Sequence, residues 1–339
     1  IGRNEIPFIT SMKQRIYFRA DAGREIGYGH FIRTLALADM LKDDFDCVFV
    51  TQSPTVYQKT EVAKVCELAE VPATEEKFSL FLDMLDGDEI VVLDNYFYDT
   101  DYQRAVKTKG CKLVCIDDMH DKHYVADVVI NHSPGISEGD FSTAPYTRLC
   151  LGVSYALLRK PFLEVAGRRY RHAVDYRALK VIVSFGGVDK YNLTRRYIEC
   201  LKDCDTIRSV TALTGDAYGD DRKIRHPKVN YLQNLSAREI AGLFCENDVA
   251  LLPASTIMKE ALACNLKVIG GYFVDNQLNS FKSFEAMKAI VGGGDYCALE
   301  TEIRIRKLFS DSGLQHIELK EDIIPSSIAE NLLAVFKSV

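Results

Sequence analysis

The chain has no tryptophan, no Cys-x-x-Cys pair and no apolar run near the length of a membrane-spanning helix. Such a helix needs about 18 consecutive apolar residues, so membrane insertion of that kind is not expected. Positive charge is not in excess either. Forty-two Lys and Arg stand against 48 Asp and Glu, for a net charge of −6. A general nucleic-acid binder carries a basic face, so none is expected here. The amino terminus lacks the charged start, apolar core and small-residue cleavage site of a signal peptide. Residues 1–14 read as a tag, linker or disordered start, with Met12 as the natural beginning. The ten cysteines are scattered, and the closest pairs, Cys111 with Cys115 and Cys200 with Cys204, have three residues between them. That spacing speaks against a zinc ribbon or a thioredoxin-like site. Most lie in apolar runs, which fits reduced core thiols in a cytoplasmic protein. Three Asn-x-Ser/Thr triplets, at Asn131, Asn192 and Asn234, are then chance matches.

What the chain does have is alternation. Apolar strand-length runs are expected near 15–19, 46–51, 90–93, 112–116 and 127–130. Helices fall between them near 30–42, 60–69, 77–85 and 99–109. The second half repeats the scheme, with strands near 179–184, 208–213, 229–232, 248–252, 267–271 and 295–297. Its helices lie near 191–202, 236–245, 255–264, 278–290, 300–310 and 325–337. Runs such as Ile90-Val91-Val92-Leu93 are what strands buried on both faces look like. Their alternation with helices predicts an α/β protein of two doubly wound, Rossmann-like parallel-sheet domains. The first domain is placed at 15–160, a polar and basic linker at 161–177, and the second domain at 178–339. Two such domains face each other across a cleft at the carboxyl ends of their strands, where ligands of open α/β sheets bind.

The residues that follow strands are therefore the candidates. Phe18 to His30 joins a strand to a helix through Gly23, Gly27 and Gly29. Glycines allow a tight turn and close approach of a ligand, and the N–H groups at a helix start face an anion. The run lacks the third glycine of the dinucleotide fingerprint and the Gly-Lys-Ser/Thr of a P-loop. His30 is either a helix-start residue or a proton acceptor beside an anion cradle. Asp94-Asn95-Tyr96 and Asp117-Asp118-Met119-His120, with His123, follow two further strands. Their spacing matches no standard zinc pattern, so a polar loop lining the cleft is expected rather than a metal site. In the second half, Gly186 and Gly187 precede Asp189 and Asn192, either as a capped βα turn or as N–H groups directed at a diphosphate or sugar. Ser255 or Thr256 can cap a helix. Glu260 lies too far along for a capping box, which leaves an exposed helix glutamate or a carboxylate facing a ribose diol. Asn276 and Gln277 offer paired donors and acceptors for a sugar or phosphate.

In that order, Phe18-Arg19-Ala20-Asp21, Gly27-Tyr28-Gly29-His30 with Arg33, Gly152 to Arg159, Ser184 to Asp189 with Asn192, Ala254-Ser255-Thr256 with Glu260, and Asn276-Gln277 resemble a known family. It is the UDP-2,4-diacetamido-2,4,6-trideoxy-β-L-altropyranose hydrolases of pseudaminic acid biosynthesis. The likeness covers most of residues 15–290. Val188 stands where Thr is common in that family, and Asn95 where His can occur. The resemblance implies a GT-B fold related to the peptidoglycan GlcNAc transferase, and metal-independent, cofactor-free release of the sugar and UDP with inversion. It implies His30 as general base. A UDP-sugar is the expected partner, with UDP on Ser255, Thr256 and Glu260. Asp94, Tyr96 and Asp117 are expected to line the sugar pocket, and Asp21 to orient His30. Tyr155 falls in the inter-domain segment and counts among the substrate-binding candidates. UDP is a stable leaving anion, so one base suffices where a glycosidase needs two carboxylates, and an imidazole titrates near 6.5 when unperturbed. A glycosyltransferase of the same fold and a non-catalytic nucleotide-sugar-binding protein remain as alternatives.

Overall fold

The computed structural model describes residues 13–23, 26–166, 168, 173–215, 218–310 and 313–339. Met12 and most of residues 1–14, and part of the 161–177 linker, lie outside the described residues.

Two parallel sheets carry the chain. The first has seven strands: β1 (Arg15–Ala20), β2 (Asp46–Gln52), β3 (Glu67–Val71), β4 (Ile90–Asp94), β5 (Lys112–Ile116), β7 (Val128–Asn131) and β9 (Arg148–Leu151). A two-residue ribbon, β6 (His123–Tyr124) with β8 (Ser142–Thr143), stands apart from it. The second sheet has six: β10 (Leu179–Val183), β11 (Ile207–Thr214), β12 (Val229–Gln233), β13 (Val249–Pro253), β14 (Lys267–Tyr272) and β15 (Val291–Asp295). The strand orders, β3-β2-β1-β4-β5-β7-β9 and β12-β11-β10-β13-β14-β15, both reverse direction next to their first strand. That reversal opens a crevice at the carboxyl ends of β1 and β4 and again at β10 and β13. Register places Phe18 of β1 opposite Phe49 and Val92, all fully or nearly fully buried, as strands covered on both faces require.

The halves are not independent. The short helix Lys160–Val165 crosses from the expected first domain into the segment expected as linker, and its Phe162 ring packs on Phe244 of the second half. The last helix, Ile328–Lys337, returns to the first half, with Phe336 against Phe45 and Lys337 paired with Asp44 at 2.6 Å.

Several expected elements differ. The helix expected at 60–69 is a helix at Val56–Ala63 followed by the edge strand β3. Glu, Leu and Ala in β3 are good helix formers, and pairing with β2 overrides that propensity. The strand expected at 295–297 lies earlier, as β15. Its three glycines argue against a strand by propensity. They are needed because the backbones approach closely: a Cβ on Gly293 would sit 2.8 Å from the Gly270 carbonyl oxygen. All ten cysteines are free, and six are buried. Among the described residues, no helix is long and apolar enough to cross a membrane.

Candidate active site

The helix Gly29–Leu41 follows β1 and places His30, Arg33 and Thr34 on one face, as i, i+3, i+4 spacing dictates. All three converge on Asp94 at the end of the neighbouring strand β4. The Asp94 carboxylate is fully buried. Its Oδ1 lies 2.7 Å from His30 Nδ1 and accepts from Arg33 Nη2 at 2.6 Å. Its Oδ2 accepts from Arg33 Nε at 2.6 Å and from the Thr34 hydroxyl at 2.7 Å. Burial by itself raises a carboxyl. Here Arg33 and His30 outweigh it and bring the Asp94 group down to about 2. An ionised Asp94 can only accept, so His30 Nδ1 carries the proton and Nε2 is left as the basic nitrogen. The 3.1 Å approach of Arg33 Nη2 to Nδ1 is then a contact and not a hydrogen bond. The ring of Tyr96 stands edge-on to the imidazole, with centroids 4.7 Å apart.

This arrangement bears on two carboxylates. Asp94, expected to line the sugar pocket, lies beside His30 in a small cavity that Tyr96 and Asp117 also line, and it holds the imidazole as well. Asp21, expected to orient His30, is fully buried and serves other groups: Arg19, whose Nη2 donates at 3.0 Å, Lys77 at 3.1 Å and the Gln52 backbone N–H at 2.8 Å. The reason is position. Asp21 leaves the end of β1 toward β2 and meets Gln52, whereas Asp94 ends β4 on the other side of β1 and receives His30, Arg33 and Thr34 from the helix. Asn95 ties that loop down by accepting the Asp21 N–H at 2.8 Å.

Asp117 lines that cavity too, with its carboxylate bonded to its own loop and its neighbours. It accepts from the backbone N–H groups of Met119 and His120, the Tyr124 hydroxyl and the Asn131 side chain. Its neighbour Asp118 faces the cleft instead. Asp118 Oδ2 accepts from Arg33 Nη1 at 2.6 Å and from the Tyr96 hydroxyl at 3.3 Å, and Oδ1 lies 3.8 Å from His132 Nε2. Burial opposes ionisation of Asp118, but Arg33 above all, with Lys259, holds its carboxyl well below the usual range. His132 is pushed well below its ordinary value by burial, Lys259 and Arg33, so it is neutral, and its Nδ1 accepts the Leu157 N–H at 3.3 Å. Among the described residues no group of three or more His, Cys, Asp or Glu is placed to hold a metal ion. His123 of the suspected loop pairs with the Ser142 hydroxyl at 2.8 Å.

The second half supplies the opposite wall. Gly186, at φ +87°, turns the chain after β10, and a Cβ there would meet nothing within 4 Å. Gly27, at φ +79°, and Gly29 on the first half are equally open. These are three places where backbone is exposed to whatever enters the cleft. Gly187 packs toward Gly215. Asp189 caps the next helix by accepting the N–H groups of Leu193 and Thr194 at 2.8 and 2.9 Å, beside Asn192 in the left-handed region. Ser255 and Thr256 open the helix Thr256–Ala263, and neither side chain caps it. Glu260 is not an exposed glutamate. It is buried, and its two oxygens accept from Arg159 Nε and Nη2 at 2.7 and 2.8 Å. Asn276 Nδ2 donates to the Tyr96 hydroxyl at 2.8 Å, joining the walls, and Gln277 Oε1 accepts the Phe273 N–H at 3.1 Å. Tyr155 lies in a 3-10 turn packed on the final helix, and no polar contact links it to the Asp94 cluster.

Sequence reasoning missed Asp118, His132, Arg159 and Lys259. Arg159 lay inside a quoted motif and Asp118 beside a chosen residue, so a local signal existed for those two. Lys259 had none, because a lysine in a helix reads as solvated until the facing half of the molecule is present.

No protein-family model matches the chain. The chain is 24% identical over 272 residues to the UDP-2,4-diacetamido-2,4,6-trideoxy-beta-L-altropyranose hydrolase of Campylobacter jejuni, covering 78% of this chain and 93% of that protein. It is 24% identical over 277 residues to the spore coat polysaccharide biosynthesis protein SpsG of Bacillus subtilis, covering 78% and 79%. The resemblance read from the motifs is thus borne out over most of the chain. Among solved structures, Acinetobacter baumannii MurG superposes with a TM-score of 0.61 at 12% identity, over 96% of this chain and all of that one. The calicheamicin glycosyltransferase CalG4 superposes with a TM-score of 0.63 at 11% identity, over 97% and 98%. The fold is the GT-B fold expected from the sequence.

Proposed function

We propose that the chain hydrolyses a UDP-linked diacetamido-trideoxy sugar to the free sugar and UDP, as a step of pseudaminic acid-type nonulosonate biosynthesis. The observation that carries this reading is the bond between Asp94 and His30 Nδ1, which leaves Nε2 of a nearly buried imidazole to accept a proton. The activity for which the Campylobacter relative is named supports the same substrate class. In this reading His30 Nε2 takes a proton from water, and the water oxygen bonds to the anomeric carbon. The bond from that carbon to the diphosphate oxygen breaks, and UDP leaves with the electron pair. A positioned base contributes about 10² to 10⁴ in rate, or roughly 3 to 5 kcal/mol. UDP sits on the second half at Ser255, Thr256 and Glu260, with Gly186, Gly187 and Asn192 beside the diphosphate. The sugar projects toward Gly27, Gly29 and Tyr96. Asp94 and Arg33 hold the base, and Asn276 reaches the substrate through Tyr96. The two domains are taken as 15–160 and 178–339.

The test is a mass-spectrometric time course with a panel of UDP-sugars in EDTA and without an acceptor. Release of free sugar and UDP from the diacetamido-trideoxy altrose compound is the expected result. UDP binding without turnover would overturn hydrolysis and favour a glycosyltransferase of the same fold, a reading that the MurG and CalG4 superpositions keep open. A gain of turnover on adding an acceptor would establish that alternative.

Glu260 gives a second, smaller expectation. Each of its oxygens spends one lone pair on Arg159 and keeps another for a ribose hydroxyl. Glu260→Gln should weaken UDP binding by about 10- to 100-fold, the size of a lost charge-assisted pair of hydrogen bonds. Calorimetry with UDP and 2′-deoxy-UDP reads it. An unchanged affinity for both would remove Glu260 from the ribose site.

A further inference from the structure

One buried charge in the cleft has no work in the scheme above. Lys259 lies on the helix Thr256–Ala263, directly before Glu260, and is 3% exposed. Among the described residues it makes no hydrogen bond and no ion pair within 4 Å. The charged and titratable groups around it belong to the other half of the molecule: Asp118 attracts it, Arg33 repels it, and His132 lies close enough to feel it. Asp118 cannot compensate it fully, because that carboxylate is already bonded to Arg33 and to the Tyr96 hydroxyl. Burial lowers the Lys259 ammonium to about 7, with Arg33 adding to the effect and Asp118 opposing it. An ammonium held in low dielectric without a bonded anion is costly unless an anion arrives. It shares its helix with an N-terminus at Thr256 whose own side-chain cap is missing, so the same end of the helix offers free N–H groups.

We propose that Lys259 is the cation that binds the diphosphate of the nucleotide, exchanging the long-range pull of Asp118 for direct contact with phosphate oxygens. The proposal rests on the UDP-sugar reading for its ligand. It deepens that reading by assigning a leaving-group residue. The base His30 and the cation Lys259 are carried by different halves of the molecule, so each can serve a different part of the substrate. Lys259 forms no covalent bond and gives up no proton. It neutralises charge that grows on the diphosphate oxygen as the carbon–oxygen bond breaks, the kind of contact that is worth most in a site closed to water.

The experiment compares UDP and uridine binding by calorimetry at pH 6.5 for the wild-type chain, Lys259→Met and Lys259→Arg. It adds kcat and KM for the UDP-sugar. Lys259→Met should lose UDP affinity by about 10-fold or more and keep its uridine affinity, since uridine carries no phosphate. It should lower kcat by about 10²-fold, as loss of one preorganised charge contact does. Lys259→Arg should recover most of the UDP affinity. Equal loss of UDP and uridine binding in Lys259→Met would mark a merely structural residue and overturn the proposal. So would an unchanged ratio of the two affinities. If the wild type discriminates UDP from uridine through Lys259 but turns over no UDP-sugar, the cation assignment stands and the hydrolase reading falls. A wild type that binds neither ligand overturns both. Thermal melts of the three proteins identify a folding defect, and Lys259→Arg then decides alone through its UDP-to-uridine ratio, which must stay near that of the wild type.

Discussion

Replacing His30 with Ala should lower turnover of the UDP-sugar by about 10²- to 10⁴-fold and leave UDP affinity within a few-fold of the wild type. The imidazole is on the first half, at the start of the helix Gly29–Leu41, while the groups proposed for the nucleotide are on the second. Its removal therefore takes the base away without touching the UDP bed. The fold should survive, because Asp94 keeps both Arg33 bonds and the Thr34 hydroxyl when the ring is gone. Steady-state kinetics and calorimetry on the same preparation read the two quantities. Turnover near the wild-type rate would sink the base assignment. A parallel fall in UDP affinity would instead place His30 in nucleotide binding.

Asp94→Asn should damage both chemistry and stability, and by more than any other single change in the cleft. An amide cannot accept four hydrogen bonds, and its NH2 would be aimed at Arg33 or at His30. Arg33 is buried and would be left with Asp118 as its remaining carboxylate. Breaking one partner out of a buried ion cluster costs about 3 to 5 kcal/mol. The imidazole would also lose the acceptor that fixes its tautomer, which in a comparable carboxylate–imidazole pair costs about 10⁴ in rate. The pH dependence follows from the direction of the Asp94 shift, from 3.8 down to about 2. A depressed folded value means that the unfolded chain binds the proton more readily. The stabilisation is therefore present in full above the unfolded value and is lost as pH falls from about 4 toward 2. Asp118 is shifted further in the same direction, so its contribution also fades on acidification but persists to lower pH. Wild-type unfolding midpoints should thus fall steeply over that interval, and those of Asp94→Asn should start lower and fall less. Chemical denaturation at a series of pH values measures both. A variant with the same acid slope as the wild type would mean that Asp94 is not the ionised centre of the cluster.

Much of the architecture was legible because its signals are local. Continuous apolar runs at Ile90–Leu93 and Val249–Leu252 announce strands buried on both faces, and both occupy sheet interiors. Glycines at the turns after β1 and β10 marked where backbone would be open, and Gly27 and Gly186 hold the left-handed conformations that such turns need. Where local propensity opposed the tertiary pairing, the reading failed. Glu67–Val71 looks helical and pairs as a strand; Val291–Asp295 looks like a glycine-rich loop and pairs because only glycines let β14 come so close.

The site was legible in its residue types and not in its partnerships. His30, Asp94 and Asn276 could be picked out because each follows a strand or opens a helix, and Arg33 and Glu260 because they belong to the motifs that carry the resemblance. Which acid meets which base could not, since Asp94 is 64 residues from His30 and Glu260 is 101 from Arg159. The choice of Asp21 as the orienter gave way to Asp94, which the strand order brings to His30, and Asp118 beside the chosen Asp117 is the residue that reaches Arg33.

The sequence by itself determined the α/β alternation, the glycine turns and the ordered motifs that carry the resemblance, because periodicity and turn chemistry act over a few residues. Only the tertiary structure decided that Asp94 orients His30, that Arg159 holds Glu260, and that Lys259 is buried against Asp118. Those are electrostatic choices in a desolvated cleft, and they depend on which strands the crossovers bring side by side.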